Sequence, residues 1–585
     1  MFVFGAFGIM LLVSWQRWTS MIVDLGRETD LPLRIMNGEV LYRDIHYLYP
    51  PFAPYFNAFL YRIFGVHLDT LSGAGIIAAA LLTLICYRIA RRLMPSAGAS
   101  ITVCFVVVLC FFKPAGNVIL SYSFAGLYGA LFSLASVLFL LRFAELGKRL
   151  DLTTAGILIG LAVISKQEFG FAAAVAGSAY VVYRHRSELA GCVTDLIVVA
   201  GTALLIALPV FGAMFWHIDH RILIEDCHLF YTNLPASLVT YNRFRSGTDD
   251  ILGSLIQMAG AAAICTAFIS TVVFFSDIKG LLRNRSVAVF FLAASATAAI
   301  MFAYAGSWDG SPFRALPFML AAFIVFAWSR PRMVDEKTEK HHPIVNNAFI
   351  FIIAIYALAV MFRVVLRVPS GGFSGSFYLP ASLILAFYGL LIVVPAAIGR
   401  WTQNTDSQLR SARLLHAVCI LAVVVTAVSF TVRYRTRYVH EINAPRGTII
   451  AEKVSGPVIE AALQFLESNT SPDEVIAVLP EGNDLAFLSG RRANLRHQVL
   501  LPDFLSERDE LDAIEALEKV NVRYILVPNR PMREFGAVGF GDDFYLTLGE
   551  WIDTNFRVVE VYGSSGSGEP EIGDPGFFIK VYGRR

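Results

Sequence analysis

Charged residues are scarce in this chain. Asp, Glu, Lys and Arg make up 16% of its 585 residues, whereas hydrophobic residues make up 56% and the mean hydropathy is +0.59. This composition is too apolar for a soluble enzyme and is typical of a protein that crosses a membrane several times. The net charge is only +2 and no basic patch is interleaved with aromatic residues, so the sequence gives no sign of a nucleic-acid partner.

Several other signals are also missing. The seven cysteines lie almost entirely in apolar runs without a CxxC pair or metal-ligand spacing, so we expect them to be small core residues. The first twenty residues have neither a basic start nor a small-x-small cleavage site, which favours an uncleaved first span over a signal peptide. We find no internal repeat in the chain, and no glycine-rich phosphate loop or nucleophile elbow in the segment after residue 430.

About 13 apolar runs are long enough to be membrane helices. They cover roughly residues 1–20, 70–90, 97–112, 122–142, 152–166, 169–184, 189–215, 251–275, 286–305, 315–328, 345–366, 377–398 and 412–432. Basic residues fall in alternate short loops, which the positive-inside rule assigns to the cytoplasm. The loops on the opposite side, called the outer loops below, are 21–68, 113–121, 166–168, 216–250, 304–314 and 367–376.

After Phe430 the composition changes to a charged segment of about 150 residues, enough for one small domain. We predict a membrane domain over residues 1–432 and a separate α/β domain over residues 433–585 on the outer face. The elements predicted in the second domain are helices at 458–466, 507–517 and 544–556, and strands at 475–479, 524–527, 556–562 and 577–582.

The first outer loop, residues 21–68, carries charged residues directly after the first span. Asp24 and Glu28 are four residues apart, so both carboxylates lie on one face, beside Arg27, if the helix continues past the membrane surface. Carboxylates placed so close to a span favour a functional interpretation over the alternative, a solvated helix end.

A second short helix is predicted within the same loop. Asp30 is expected to cap it, Pro32 lies in its first turn, and Asn37 and Gly38 supply its stop signal. The following segment contains several tyrosines and prolines, which is typical of a stiff surface feature.

Further polar groups lie in the other outer loops. Lys166 and Glu168 stand between two short spans, and Asp309 and Arg314 flank a Gly-Ser-Pro turn; each pair is either functional or a simple salt bridge. Tyr122 belongs to a smaller polar group. The residues His217, Asp219, His220, Glu225, Asp226 and His228 suggest a metal site, but we favour an interfacial helix for this segment.

Several of these motifs resemble the GT-C membrane glycosyltransferases, in particular the bacterial branch of the protein O-mannosyltransferase and lipid A aminoarabinose transferase superfamily (glycosyltransferase family 39-like). The motifs are Asp24-x-Gly-Arg-Glu28, Asn37-Gly-Glu-Val-Leu-Tyr-Arg-Asp44, Pro50-Pro-Phe52, Asn57-Ala58, Phe64-Gly65 and Gly160-Leu-Ala162 followed by Ser165-Lys166. The resemblance is strongest over about residues 20–170.

The resemblance implies a helical membrane bundle that transfers a sugar from a polyprenyl-phosphate donor, with inversion, to a lipid, glycan or protein acceptor. It places this chemistry at the periplasmic face of a bacterial inner membrane. The family's catalytic carboxylate maps onto Asp24, with Glu28 beside it. The residues expected to bind the donor phosphate are Arg27, Lys166 and Arg314, and those expected to bind acceptor or sugar are Tyr42, Asp44, Tyr122, Glu168 and Asp309.

The sequence departs from the family pattern at two positions. Leu25 follows Asp24 where many relatives have a second acidic residue, and the outer loop 113–121 has no carboxylate of the kind some members use with a metal. We therefore assign no metal ligand and leave a divalent cation, Mg²⁺ or Mn²⁺, open. The alternatives are a transporter or flippase, which the lack of an internal repeat disfavours, and a non-catalytic scaffold, which leaves the acidic first loop unexplained.

Overall fold

The computed structural model describes residues 2–18, 21–276, 311–329, 347–565, 572 and 574–585. Within these ranges, seven helical segments are long and apolar enough to cross a membrane. They are Leu68–Leu93, Phe124–Leu146, Leu189–His217, Ala236–Ser276, Pro312–Ser329, Pro380–Thr402 and Thr405–Arg437. Shorter apolar helices pack among them, and the whole is the helical bundle of a multi-pass membrane protein.

The helices of the bundle are numbered in chain order. They are α1 Phe2–Ser14, α2 Leu25–Met36, α3 Phe52–Phe64, α4 Leu68–Leu93, α5 Ser96–Val106, α6 Phe124–Leu146, α7 Arg149–Ser165, α8 Gln167–Arg184, α9 Leu189–His217, α10 Ala236–Ser246, α11 Ile251–Ser276, α12 Leu316–Ser329, α13 Asn347–Val360, α14 Phe373–Tyr378, α15 Pro380–Tyr388, α16 Val394–Thr402 and α17 Thr405–Arg437. Every predicted apolar run coincides with helix except 286–305, which lies outside the described residues.

The first outer loop differs from the prediction in one respect. Helix α2 begins at Leu25 and runs through Asp30 and Pro32, so the prediction that Asp30 caps a second helix was wrong. The helix buries most of its residues, and this packing outweighs the backbone hydrogen bond that the proline removes. The predicted stop is confirmed, because α2 ends at Met36, Asn37 is its C-cap residue and the following Gly38 has a φ of +101°.

The C-terminal region contains most of the predicted helices and strands. Its elements are β1 Tyr438–Ala444, β2 Gly447–Glu452, α18 Ser455–Asn469, β3 Ala477–Val478, α19 Asp484–Leu488, α20 Glu507–Lys519, β4 Tyr524–Pro528, α21 Leu546–Asn555, β5 Phe556–Gly563 and β6 Phe578–Arg584. Strands β3, β4, β6 and β5 form one sheet in that order. Strand β3 is parallel to β4, and the other two pairings are antiparallel. The β1–β2 hairpin was not predicted, and the strand predicted over 475–479 is only two residues long.

The outer loops contact one another at one end of the bundle. The hydroxyl of Ser376 donates to the carbonyl of Gly116 over 2.7 Å, and the hydroxyl of Tyr231 donates to Glu168. The C-terminal region covers this end of the bundle through polar contacts of its own. They join Gln498 to Asp30, Arg496 to Asp226 and Asp503 to Ser237. The described outer loops and part of the C-terminal region therefore lie together at this end of the bundle.

Candidate active site

Three charged side chains meet at the start of α2. Asp24 is the residue that precedes the helix, and its backbone is left-handed, with a φ of +69°. The guanidinium of Arg27 lies 3.0 Å from a carboxylate oxygen of Asp24 and 3.1 Å from one of Glu28. The Asp24 side chain is 25% exposed, whereas that of Glu28 is 5% exposed. Arg27 therefore bridges an accessible carboxylate and a buried one.

Glu28 is held from a second side by the bundle. Its Oε2 atom accepts the backbone N–H of Phe124, 2.9 Å away, at the start of α6. Burial raises the pKa of Glu28. Arg27 also donates to the carbonyl of Tyr122 over 2.9 Å. These contacts fix Arg27 and Glu28 between α2 and the residues at the start of α6, and they leave the exposed part of the Asp24 side chain accessible.

The C-terminal region adds a third carboxylate to this group. The Oε1 atom of Glu481 accepts the backbone N–H of Asp24 over 2.8 Å, and its Oε2 atom lies 3.4 Å from Nε of Arg530. Burial, together with the nearby charge of Asp24, raises the pKa of Glu481 to about 7. The sequence analysis did not assign a role to Glu481, although it follows the predicted strand 475–479 in a Pro-Glu-Gly turn.

Lys166 and Glu168 form a separate cluster at the junction of α7 and α8. Their charged groups are 3.3 Å apart, and Nζ of Lys166 lies 4.7 Å from the centre of the Tyr49 ring. Arg363 approaches the Glu168 carboxylate to 3.3 Å, and the hydroxyl of Tyr378 donates to it over 2.6 Å. With Tyr231 as a further donor, the Glu168 carboxylate has four polar partners.

Arginines line a cleft in the same face of the protein. Arg245, Arg314 and Arg367 lie around it together with Phe244 and the segment 364–369. Arg314 is buried, and Arg367 pairs with Asp249 at 3.2 Å. Of these three arginines, only Arg314 was predicted to be a site residue.

Two tyrosines contact these charged groups. The carbonyl of Tyr122 accepts the hydrogen bond from Arg27, and the guanidinium of Arg245 lies 6.0 Å from the centre of the Tyr241 ring. Tyr122 packs against the Phe373 ring at 5.5 Å. The structure therefore brings the predicted residue Tyr122 into the same region as Asp24, and it adds Tyr241 and Arg245.

The remaining predicted site residues are placed differently. Tyr42 is buried, and its hydroxyl donates to the carbonyl of Tyr49 over 2.7 Å. The carboxylate of Asp44 accepts the N–H of Val40 and pairs with Arg43, each at 2.8 Å. Tyr42 and Asp44 are thus engaged in holding their own loop together. Asp309 lies outside the described residues.

Among the residues that the structure describes, one group has the composition of a metal site. Potential ligand atoms of His46, Asp226 and His497 lie within 4.8 Å of one another. Burial lowers the pKa of His497 to about 3, so its imidazole is neutral, which is the form that binds a metal. The Asp226 carboxylate is already paired with Arg496. Imidazole suits zinc better than Mg²⁺ or Mn²⁺, and of the histidine and carboxylate residues between 217 and 228, Asp226 alone belongs to this group.

The missed residues have weak signals in the sequence. Glu481 follows a predicted strand, which is a common place for a functional carboxylate, but its contact with Asp24 spans 457 residues of chain. Arg245 and Arg363 are basic residues near the ends of apolar runs, as many interfacial residues are. Residue spacing alone cannot reveal such long-range contacts.

Comparisons with known proteins agree with this architecture. The model of the dolichyl-phosphate-mannose-protein mannosyltransferase family matches residues 49–216. No curated protein matches the chain. The structure is similar to the oligosaccharyltransferase AglB from Archaeoglobus fulgidus in complex with an inhibitory peptide and a dolichol-phosphate. The TM-score is 0.51 at 12% identity, over 100% of this chain and 88% of that one.

A second solved structure shows a weaker similarity. ArnT from Cupriavidus metallidurans, bound to undecaprenyl phosphate, is 13% identical over 99% of this chain and 97% of its own, with a TM-score of 0.41. From the AglB likeness we conclude that the chain has the GT-C fold, a polytopic membrane fold. The predicted fold class is thereby confirmed. Within this class, the matching sequence family is the mannosyltransferase family named above, over residues 49–216.

Proposed function

We propose that this protein is a glycosyltransferase that moves a sugar from a polyprenyl-phosphate donor to a lipid, glycan or protein acceptor, with inversion at the anomeric carbon. The observation that carries the proposal is the accessible Asp24 carboxylate, held 3.0 Å from the Arg27 guanidinium. Support comes from the GT-C fold and from the AglB and ArnT complexes, whose lipid ligands are dolichol-phosphate and undecaprenyl phosphate.

Asp24 is the proposed general base. Its carboxylate takes the proton of the acceptor hydroxyl as that oxygen attacks the anomeric carbon. The bond from this carbon to the phosphate oxygen breaks on the opposite side, which accounts for the inversion. The lipid phosphate leaves with the electron pair of that bond, and Asp24 ends the step protonated. Glu28 orients Arg27, and Arg27 in turn orients Asp24.

The departing phosphate needs positive charge nearby. We assign this role to Arg27, Lys166 and Arg314, with Arg245 as an additional candidate because it lines the cleft with Arg314. Arginine can donate two parallel hydrogen bonds to a phosphate, whereas lysine acts as a point charge. Lys166 is the weakest of these candidates, because Glu168 already neutralises it.

For acceptor or sugar binding, Tyr122 is the best supported candidate because its carbonyl contacts Arg27, the partner of Asp24. Tyr42, Asp44 and Glu168 are less suited to this role, since their polar groups are engaged in other contacts. A divalent cation remains compatible with the chain, and the group around His46 has suitable ligands for one. The proposed reaction requires no metal step.

We further propose that the outer loops face the periplasm of a bacterial inner membrane. The proposed domain division is a membrane domain, residues 1–432, and a periplasmic α/β domain, residues 433–585. The basic residues of the alternate short loops support this orientation.

The test is release of polyprenyl phosphate from a panel of polyprenyl-phosphate sugars by purified protein in nanodiscs, with a periplasmic extract as the acceptor source. Acceptor-dependent release by the wild type, lost in Asp24→Asn, is the expected result. Asp44→Asn is the matched control, because Asp44 is engaged within its own loop. An active Asp24→Asn protein would contradict the assignment of the base. Movement of a donor across a vesicle membrane without release would favour a transporter instead.

A further inference from the structure

The C-terminal region contacts the candidate base directly. Glu481 is 4% exposed, and its carboxylate accepts the backbone N–H of Asp24 over 2.8 Å. This contact joins the residue before α2 to a turn that follows β3. It acts on the backbone of Asp24 and leaves the Asp24 carboxylate itself free to pair with Arg27.

Asp24 adopts a conformation that needs such support. Its φ of +69° lies in the left-handed region, which residues other than glycine seldom adopt. Its side chain makes no capping hydrogen bond to α2, so the usual contact that fixes the start of a helix is missing. The Glu481 carboxylate supplies an acceptor at this helix N-terminus, where negative charge is favourable.

Glu481 is itself placed by a rigid segment. On one side, the Leu479 N–H donates to the carbonyl of Leu526 in β4, and the Pro480 carbonyl accepts the N–H of Leu500, each over 2.9 Å. On the other side, the turn packs against Gly26 of α2. A Cβ atom at Gly26 would lie 2.6 Å from the backbone nitrogen of Asp484, so only glycine allows this approach.

We propose that Glu481 is a positioning residue that holds the backbone of Asp24 and thereby aims the Asp24 carboxylate into the site. The C-terminal region then contributes a positioning residue to the active site and does not merely pack over it. The inference rests on the proposed function in one respect, namely that Asp24 is the base. The structural part, the restraint of the Asp24 amide, is independent of the reaction.

The test compares three variants of the full-length protein in nanodiscs. Glu481→Met keeps a similar volume but has no oxygen acceptor, and Glu481→Gln keeps an acceptor for the Asp24 N–H. The matched control is Glu534→Gln, because Glu534 is the other carboxylate bound to Arg530, at 2.6 Å. If Glu481→Met does not fold, as judged by size-exclusion chromatography, Glu481→Ala takes its place.

Two readouts are needed. In steady-state turnover, we expect Glu481→Met to lower kcat about 10- to 100-fold with an unchanged donor KM, because a displaced base affects the chemical step. Glu481→Gln and Glu534→Gln should stay within about threefold of the wild type, because both keep the restraint on Asp24. In hydrogen–deuterium exchange, the peptide that contains the Asp24 amide should exchange faster in Glu481→Met and remain protected in the other two variants.

The two readouts separate the possible failures. A wild type without turnover would contradict the proposed function, and exchange at the Asp24 amide would still test the restraint. Unchanged exchange and turnover in Glu481→Met would overturn the positioning role. An equal loss of activity in Glu481→Gln would also overturn it, because the charge and not the hydrogen bond would then matter. An equal loss in Glu534→Gln would assign the effect to the Arg530 network.

Discussion

Two ionic clusters on the same side of the bundle are built from similar residues, but their carboxylates differ in exposure and in number of partners. In one, Arg27 bridges Asp24 and Glu28; in the other, Glu168 is surrounded by Lys166 and Arg363. The Asp24 side chain is 25% exposed and pairs with one cation, whereas that of Glu168 is 11% exposed and has two cations and two tyrosine hydroxyls around it. A carboxylate that is enclosed by ionic and hydrogen-bonding partners is suited to stabilising the fold. A partly exposed carboxylate with fewer partners is suited to accepting a proton from a substrate.

The largest expected difference between the clusters is in turnover. Asp24→Asn removes the proposed base, and a general base contributes about 10²- to 10⁴-fold to rate, so we expect kcat to fall by at least about 100-fold. The amide retains the shape of the side chain, and the melting temperature should change little. Steady-state assays with polyprenyl-phosphate sugars check the first expectation, and thermal unfolding in detergent checks the second. A large loss of stability in Asp24→Asn would indicate that Asp24, like Glu168, has a structural role.

The second cluster should respond in the opposite way. Glu168→Gln leaves Lys166 and Arg363 without their shared anion, and removing one partner of a buried ion pair costs about 3 kcal/mol or more. We expect a melting temperature several degrees lower and a kcat per folded molecule close to that of the wild type. Thermal unfolding, with turnover normalised to folded protein, is the measurement. A fall in kcat equal to that of Asp24→Asn would place Glu168 in the chemistry.

A matched pair of arginine variants gives a smaller contrast. Arg27→Gln removes the group that orients Asp24 and leaves Glu28 buried without its cation, so we expect kcat/KM to fall by about tenfold or more. Arg363→Gln leaves Lys166 to neutralise Glu168, and activity should stay within about threefold of the wild type. Equal losses in both variants would remove the functional distinction between the two arginines.

The smallest expected effect concerns pH, at Asp30 in the middle of α2. Burial raises the pKa of Asp30 to about 7, and its carboxylate accepts a hydrogen bond from Gln498 over 2.8 Å. An unfolded Asp titrates near about 3.9. Between about pH 4 and pH 7 the folded state therefore keeps a proton on Asp30 that the unfolded state has lost. The contribution of Asp30 to stability falls as pH rises across this window and is constant above it.

Asp30→Asn should remove this slope. We expect the melting temperature of the wild type to fall by a few degrees more than that of Asp30→Asn between pH 4 and pH 7. Thermal unfolding of both proteins across this range is the check, with Asp69→Asn as a control on an exposed carboxylate. Parallel pH profiles for the wild type and Asp30→Asn would show that Asp30 is not protonated in the folded protein.

Much of the fold could be predicted from the sequence because its signals are local. Apolar runs identified the helices of the bundle, and Asn37 and Gly38 correctly marked the end of α2. The start of α2 could not be predicted from local signals. The helix begins at Leu25, before the capping signal of Asp30, because its residues are buried by packing. The β1–β2 hairpin was also missed, since its two strands have no clear apolar pattern in the sequence and pack against α17 and α18.

The candidate site also has some features that the sequence predicts and others that depend on the tertiary structure. The sequence by itself predicted which charged residues share one side of the bundle, because hydropathy and loop charge are patterns along the chain. Only the tertiary structure decided that the Asp24 carboxylate stays partly exposed while that of Glu168 is enclosed by its partners. It also decided that Glu481 contacts Asp24, which lies 457 residues away in the chain. The physical reason is that the ionisation, exposure and orientation of a carboxylate depend on its neighbours in space, which the order of residues along the chain does not specify.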